Sequence, residues 1–160
     1  MNRLWAPWRM TYVGGSSAAV GCIFCHALAA GDDAKYFILQ RSSRAFLILN
    51  AYPYTPGHLM AVINRHVGAL TEAAAEELAD AMALAGRATA ALTDEYRAEG
   101  FNIGVNQGRV AGAGIEGHLH VHVVPRWNGD TNFMTTLGES RVLPEALDAT
   151  YTRLKGRLGG

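Results

Sequence analysis

Short apolar runs dominate the first half of the chain. Three of them, at positions 36–39, 45–50 and 58–64, are rich in β-branched, aromatic and other large apolar residues. The segments between them, at 41–43 and 52–57, consist mainly of turn-forming residues. Short apolar runs that alternate with turns are typical of β-strands. The pattern therefore predicts three consecutive antiparallel strands.

Between residues 71 and 99, the apolar residues recur with the spacing of an α-helix. Apolar residues of this stretch recur near one helical face, at Leu78, Met82, Ala85, Leu92 and Tyr96. Alanine, the strongest helix former, is abundant. Thr71 is predicted to cap the start of this long helix, and Gly100 to end it. The apolar face is expected to contact the core or a dimer interface.

Two further strands follow the helix. Positions 101–106 form one, a glycine-rich loop spans 108–117, and the other covers 118–124, where Pro125 is expected to end it. A short C-terminal helix is predicted to begin at Pro144. The predicted order is strands, one long helix and then strands again. This order favours an α+β fold with a mostly antiparallel five-stranded sheet over a doubly wound α/β fold.

Length and composition agree with one domain. The chain has 160 residues, of which 49% are apolar and 18% charged. We divide it into an N-terminal arm at 1–20, one domain at 21–138, and a C-terminal helix and tail at 139–160. Fourteen basic residues balance fourteen acidic ones, which argues against a partner bound through a polybasic surface, either nucleic acid or membrane.

Neither a membrane span nor a secretory signal is expected. The longest stretch without acidic or basic residues runs from 10 to 31, and glycines, serines and a histidine interrupt it. No compact apolar segment follows the basic residues near the N-terminus. The chain has only two cysteines, so it is not a disulfide scaffold. These features predict a cytoplasmic protein.

Histidines alternate with apolar residues at 118–124. Because alternate side chains of a strand share a face, His118, His120 and His122 are predicted to point the same way. Successive Cα atoms on that face are about 6.6 Å apart, which suits separate roles better than one shared metal ion. A single histidine in a strand is often structural, but half of the six histidines lie here. We therefore interpret the segment as a functional site.

Two weaker signals accompany these histidines. The small residues at 108–114 are suited to bringing backbone amides close to a phosphate. Cys22 and Cys25 form a Cys-x-x-Cys pair that is compatible with buried thiols, a redox motif or half of a zinc site. Candidates for two further zinc ligands are His26, His58, His66 and one of the three alternating histidines.

The segment at 118–124 resembles the signature of the histidine triad (HIT) superfamily of nucleotide hydrolases and transferases. Family-like features also occur at Cys22-Ile23-Phe24-Cys25, Pro56-Gly57-His58-Leu59-Met60, Asn64-Arg65-His66-Val67 and Asn106-Gln107-Gly108. The flanks at 4–9 and 125–133 resemble the bacterial diadenosine tetraphosphate phosphorylase branch, which is related to the Fhit-type dinucleoside polyphosphate hydrolases. The resemblance extends over residues 2–138 and implies a HIT-like fold and a HIT domain at 21–138.

The resemblance implies catalytic and binding roles. His120 would attack an α-phosphorus and form a nucleotidyl-histidine, and His122 would contact the α-phosphate and the leaving oxygen. Asn106 would lie near the leaving phosphate, and Asn50 would hydrogen-bond the ribose.

Two further substrate contacts are expected. The loop containing Gly112, Ala113 and Gly114 would supply backbone amides to phosphate, although relatives commonly carry Gln or Ser at the position of Gly114. Trp127 closely follows the histidine strand and is predicted to stack on an adenine.

Zinc-binding members of the family use two cysteines, the histidine of an Arg-His-Val segment and the first triad histidine. The corresponding residues are Cys22, Cys25, His66 and His118. Such a closed set implies a structural zinc ion that ties the N-terminal segment to the histidine strand. His58 would then be structural and His26 exposed.

The function implied by the resemblance is cleavage of a dinucleoside polyphosphate, such as diadenosine tetraphosphate, at an α-phosphate. Phosphate as the acceptor would make the protein a phosphorylase, and water would make it a hydrolase. The alternatives are a nucleoside phosphoramidase of the Hint type and a non-catalytic nucleotide sensor or adaptor. The resemblance also implies a homodimer with a sheet continuous across the pair.

Overall fold

The computed structural model of the protein describes residues 21–131 and 145–159. The predicted N-terminal arm at 1–20 lies outside the described residues, as do residues 132–144. The three-part division of the chain therefore stays a prediction.

Five strands and three α-helices form the described part of the chain. In order they are α1 (Ile23–Ala30), β1 (Ile38–Arg41), β2 (Ala45–Leu49), β3 (Leu59–Ile63), α2 (Ala75–Tyr96), β4 (Gly100–Gly104), β5 (His120–Arg126) and α3 (Leu147–Leu158). A short 3-10 helix at Arg109–Ala111 lies between β4 and β5. Over the ranges that the structure describes, no helix has both the length and the apolarity that a bilayer crossing requires.

The strands form one antiparallel sheet in the order β1-β2-β3-β5-β4. β5 thus lies between β3 and β4, and His122 pairs with Met60 on one side and with Gly104 on the other. Every residue of β2 and β3 is buried. This architecture confirms the predicted α+β fold, with its five-stranded antiparallel sheet, one long helix and a short C-terminal helix.

Each face of the sheet buries its own apolar cluster. On the face that we call the helix face, strand residues such as Ala61 and Val121 pack with α2 and α3. On the opposite face, a smaller cluster contains Val62 of β3 and Phe24 of α1. His120 pairs with Val62, and directly paired residues point to the same side of a sheet. We therefore call this second side the histidine face.

The long helix begins later than predicted. α2 starts at Ala75, and Thr71 is not its cap. Instead, a carboxylate oxygen of Glu77 accepts a hydrogen bond from the backbone N–H of Ala74 at 2.8 Å. This contact satisfies one of the amides that a helix leaves unpaired at its N-terminus.

The face and the end of this helix agree only in part with the prediction. Of the predicted apolar face, Ala85 and Leu92 are buried in the core, whereas Met82 is 51% exposed, so its place in a dimer interface stays a prediction. The helix also ends before Gly100: Arg97 takes a left-handed conformation with φ of 52°, and Gly100 is the first residue of β4.

One helix was missed by the sequence prediction, and several element boundaries differ from it. The helix α1 was not predicted, and its N-cap makes no side-chain hydrogen bond. β5 continues through Pro125, which is tolerated because the pairing with β3 has already ended at Val123. The C-terminal helix begins at Leu147 rather than at 144.

Candidate active site and metal centre

The predicted alternation of histidines is present. His120 and His122 lie within β5, where strand pairing holds them on the histidine face. His118 precedes the strand, and the neighbouring Leu119 N–H donates to the carbonyl of Val67 at 2.7 Å. His118 and His120 are 0% and 5% exposed, whereas His122 is half-buried. The histidines thus form a row that opens towards solvent at His122.

Hydrogen bonding fixes the tautomer of His120. Its Nδ1 lies 2.7 Å from the carbonyl oxygen of His118, and because a carbonyl can only accept, Nδ1 carries the proton. Nε2 therefore has a lone pair and is the ring nitrogen that could act as a nucleophile. Burial lowers the pKa of His120, while the bond to His118 acts weakly in the opposite direction. The neutral imidazole that a nucleophilic attack needs is therefore the form present near neutral pH.

His58, which was predicted to be structural, contacts His122. Nε2 of His58 lies 3.0 Å from Nδ1 of His122. The backbone N–H of Tyr54 donates to Nδ1 of His58 at 3.1 Å, so the proton of His58 is on Nε2. His58 therefore donates to His122, whose own proton is then on its Nε2. This is the form that can donate to a leaving oxygen.

The two predicted asparagines have different surroundings. Asn50 is 8% exposed, its Oδ1 accepts a hydrogen bond from the N–H of Tyr52 at 2.9 Å, and its Nδ2 lies 3.4 Å from both ring nitrogens of His58. Asn50 thus supports the His58 end of the histidine row, and its contact with ribose stays a prediction. Asn106 is half-buried and follows β4 by two residues. Its place beside a leaving phosphate also stays a prediction.

Three backbone amides of the glycine-rich loop were predicted to bind phosphate, and two of them donate hydrogen bonds within the loop itself. The N–H of Gly112 donates to the carbonyl of Arg109 at 3.0 Å, and that of Ala113 to the carbonyl of Gly108 at 3.3 Å. The N–H of Gly114 makes no hydrogen bond to another described residue. Of the three amides, Gly114 therefore offers the one that is suited to a phosphate in this conformation.

Trp127 lies with the helix face of the sheet. Its ring packs against the larger core cluster, and its Nε1–H donates to the carbonyl of Tyr96 at 3.0 Å. The histidines lie on the opposite face. The predicted stacking of Trp127 on an adenine stays a prediction, and this position gives it no support.

The four residues predicted to bind zinc lie together. Their ligand atoms are within 4.8 Å of one another, and they belong to Cys22, Cys25, His66 and His118. Nδ1 of His118 lies 3.2 Å from Sγ of Cys22 and 3.5 Å from Sγ of Cys25. Sγ of Cys25 also lies 3.4 Å from Nδ1 of His66. Zn–S and Zn–N bond lengths place tetrahedral ligand atoms about 3.3–3.8 Å apart, so these distances suit a zinc ion.

The hydrogen bonding of His118 suits a metal ligand, and the thiol pKa of Cys25 argues against a redox pair. Nε2 of His118 lies 2.7 Å from the carbonyl of Ile63 and therefore carries the proton, which leaves Nδ1 unprotonated towards the cysteines. Burial, followed by the neighbouring Cys22 thiol, raises the pKa of Cys25. A redox-active Cys-x-x-Cys pair has a lowered thiol pKa instead. His26 is exposed, as predicted, and contacts the hydroxyl of Tyr36.

The family model of the HIT domain matches residues 32–129 of this chain. The chain belongs to the histidine triad family. The histidine triad protein is 39% identical to a protein of Mycobacterium tuberculosis named AP-4-A phosphorylase, in an alignment that covers 94% of this chain and 80% of the relative. It is 35% identical to an uncharacterized HIT-like protein of the same species, over 68% of this chain and 74% of the relative.

Solved structures of other histidine triad proteins share the fold. A zinc-bound family member from Mycobacterium smegmatis superposes with a TM-score of 0.72 at 28% identity, covering 87% of this chain and 94% of that one. A histidine triad nucleotide-binding protein from Sulfolobus tokodaii gives a TM-score of 0.70 at 24% identity, over 86% and 92% of the two chains.

Sequence analysis of this histidine triad protein missed two residues of the site. His58 contacts His122 as described above. Phe24 packs against the triad, with its ring centroid 5.4 Å from that of His118 and 5.2 Å from that of His120. Phe24 could have been predicted from its position between the two cysteines. An element that places the cysteines next to His118 also places the Phe24 ring near the triad.

Proposed function

We propose that this histidine triad protein cleaves dinucleoside polyphosphates, such as diadenosine tetraphosphate, through a nucleotidyl-His120 intermediate. The observation that supports the proposal most directly is the hydrogen bond from Nδ1 of His120 to the His118 carbonyl, which leaves Nε2 as the nucleophile. The 39% identity to a protein named AP-4-A phosphorylase supports the same class of substrate.

In the first half-reaction, Nε2 of His120 forms a bond to the α-phosphorus. The bond from this phosphorus to the bridging oxygen breaks, and its electron pair stays on the oxygen of the departing nucleotide. The Nε2–H of His122 donates a hydrogen bond to that oxygen and stabilises its charge. The positive charge on the modified imidazole is stabilised by the hydrogen bond from its Nδ1 to the His118 carbonyl.

In the second half-reaction, an acceptor oxygen attacks the same phosphorus, the bond from phosphorus to Nε2 breaks, and its electron pair returns to the nitrogen, which regenerates neutral His120. A water acceptor also loses one proton to solvent. With diadenosine tetraphosphate, inorganic phosphate as acceptor gives ADP and ATP, and water gives AMP and ATP. Both outcomes share the first half-reaction, so the proposal covers a phosphorylase and a hydrolase.

The test is product analysis with purified protein, diadenosine tetraphosphate, and either added phosphate or none. ADP and ATP formed only with phosphate would support a phosphorylase, and AMP and ATP in both mixtures a hydrolase. His120→Ala is expected to abolish turnover while nucleotide affinity is retained. The matched control, His26→Ala, removes an exposed histidine whose ring contacts Tyr36, and it is expected to be fully active.

Other outcomes would contradict the proposal. A wild-type protein that binds the nucleotide without turning it over would be a sensor or adaptor. Turnover of an adenosine phosphoramidate in place of the dinucleotide would indicate the Hint-type activity.

We further propose that Cys22, Cys25, His66 and His118 hold a structural zinc ion. Four protein ligands complete a tetrahedral site, so the ion would contribute stability and offer no open position to a substrate. The donor set and the distances among these residues support the proposal.

We also propose that the protein forms a homodimer through β4. Side chains of α3 cover the β1 edge, because Lys155 donates to the carbonyls of Ile38 and Leu39. Among the described strands none pairs with the outer edge of β4, where Ile103 is 44% exposed. An open apolar edge of this kind is suited to pairing with a second copy. Light scattering measures the mass of the protein in solution and distinguishes a monomer from a dimer. Ile103→Lys places a charge on this edge and is expected to favour the monomer.

A further inference from the structure

We propose that Phe24 is a positioning residue for His120, and that the two cysteines on either side hold Phe24 in place. The inference rests on the proposed nucleophilic role of His120. It assigns a function in the reaction to an apolar side chain of α1 and connects the metal centre with the nucleophile.

The contacts of His120 explain why a positioning residue is needed. One hydrogen bond, from its Nδ1 to the carbonyl of His118, fixes a single atom of the imidazole. The ring of His122, whose centroid is 4.9 Å away, is a second neighbour, but His122 is itself only half-buried. Rotation of the imidazole about its Cβ–Cγ bond can therefore still carry Nε2 away from the phosphorus. Phe24 is 1% exposed, and its ring lies 5.2 Å from that of His120 at an interplanar angle of 57°. This packed ring closes the space into which the imidazole would pivot.

The place of Phe24 depends on the cysteines. α1 has eight residues and no side-chain cap at its N-terminus, so it is too short to be stable without tertiary contacts. Cys22 is its N-cap residue and Cys25 lies in its first turn, and both thiols belong to the cluster with His118. Bonds to a shared metal ion would therefore fix both ends of the turn that carries Phe24.

His118 provides a second connection to the nucleophile. Its Nδ1 faces the cysteines, and its carbonyl accepts the hydrogen bond from Nδ1 of His120. The metal centre thus acts on His120 through the His118 backbone and through the Phe24 ring. We infer that the centre orients the nucleophile in addition to stabilising the fold.

The test compares Phe24→Leu with Phe46→Leu. Both residues are buried phenylalanines of the same cluster, and their ring centroids are 6.5 Å apart. Unlike Phe24, Phe46 makes no ring contact with a described histidine. In long-range proton–nitrogen NMR spectra, wild-type His120 is expected to be one tautomer, protonated on Nδ1. Phe24→Leu is expected to add the second tautomer and to lower kcat about tenfold with KM nearly unchanged. Phe46→Leu is expected to keep the wild-type tautomer and kcat.

A third variant, Cys25→Ala, tests the role of the cysteine pair. It is expected to give the same mixture of His120 tautomers as Phe24→Leu, and a wild-type pattern would overturn that role. A wild-type pattern in Phe24→Leu, or an equal change in the Phe46→Leu control, would overturn the positioning role of Phe24. If Phe24→Leu does not fold, Phe24→Met replaces it, because the unbranched Met side chain adapts more readily to the space that the ring leaves.

The NMR comparison needs no substrate. A wild-type protein that fails to cleave the dinucleotide would therefore contradict the proposed function, while the tautomer of His120 would still decide the present inference.

Discussion

At the scale of single residues, backbone groups determine which ring nitrogen of each histidine carries the proton. The carbonyls of Ile63 and His118 accept hydrogen bonds from His118 and His120, respectively. The amide of Tyr54 donates to His58. Because a backbone carbonyl cannot donate and an amide N–H cannot accept, each of these rings is held in one neutral tautomer. The chemistry of the row is thus set by how the strands and loops position the main chain.

His58 offers a direct test of this arrangement. His58→Phe keeps an aromatic ring but removes the donor to Nδ1 of His122, so the proton of His122 is no longer confined to Nε2. We expect kcat for diadenosine tetraphosphate to fall about 100-fold with little change in KM. His58→Gln retains an N–H donor and is expected to recover part of the rate. Full activity of His58→Phe in steady-state assays would show that His122 needs no such partner.

At the scale of elements, an ion pair joins the start of α2 to the segment that follows β3. Arg65 donates to both carboxylate oxygens of Glu77, at 3.0 and 2.7 Å. Glu77 also accepts from the amide of Ala74. Arg65 directly precedes His66, so the same contact helps to hold one member of the metal cluster.

This ion pair predicts a pH dependence of stability. Hydrogen bonds from Arg65 and from the Ala74 amide lower the pKa of Glu77 from 4.5 to about 2. The carboxylate therefore stabilises the folded state above about pH 4.5, and this contribution disappears as the pH falls towards 2. We expect Glu77→Gln to be less stable than wild type near neutral pH and to approach it in acid.

The measurement is the free energy of unfolding in denaturant, taken for wild type and variant at several pH values. Glu76→Gln is the control, because Glu76 is an exposed neighbour in the same helical turn. Its stability is expected to stay close to that of wild type, because Glu76 takes no part in the ion pair between Arg65 and Glu77. A pH-independent difference between Glu77→Gln and wild type would contradict the prediction.

At the scale of the whole molecule, the metal cluster joins parts of the chain that are distant in sequence. Cys22 and Cys25 lie at the start of α1, His66 follows β3, and His118 precedes β5. A bound ion would therefore attach the only helix on the histidine face, among the described elements, to two strands of the sheet. Such a cross-link stabilises the folded state because the unfolded chain has no preformed site.

Metal removal is expected to weaken the entire fold. The purified protein is predicted to contain one zinc ion per chain, and chelation to lower Tm by several degrees. Cys22→Ser combined with Cys25→Ser should give a lower Tm that no longer responds to the chelator. Thermal unfolding together with metal analysis provides both readouts. A wild-type Tm that the chelator leaves unchanged, in a protein without zinc, would contradict the proposed centre.

The sequence was sufficient to predict those features that depend on local periodicity. The alternation of His120 and His122 with apolar residues correctly placed them on one face of a strand. The contact between His58 and His122 could not be found in this way, since it depends on the register of β3 against β5. α1 escaped prediction for a similar reason: burial of Phe24 on the sheet stabilises it more than its own helix propensity does.

The central position of β5 bears on how the protein folds. Among the strands that the structure describes, β5 comes last in the sequence, yet it fills the space between β3 and β4. Until it enters, both neighbours expose an unpaired edge, which invites association with other chains. Its pairing also closes long loops and is therefore a slow kind of contact to form. Because this strand contains His120 and His122, the sheet and the proposed nucleophile are completed in the same event. The return of the proposed activity during refolding would then report that event.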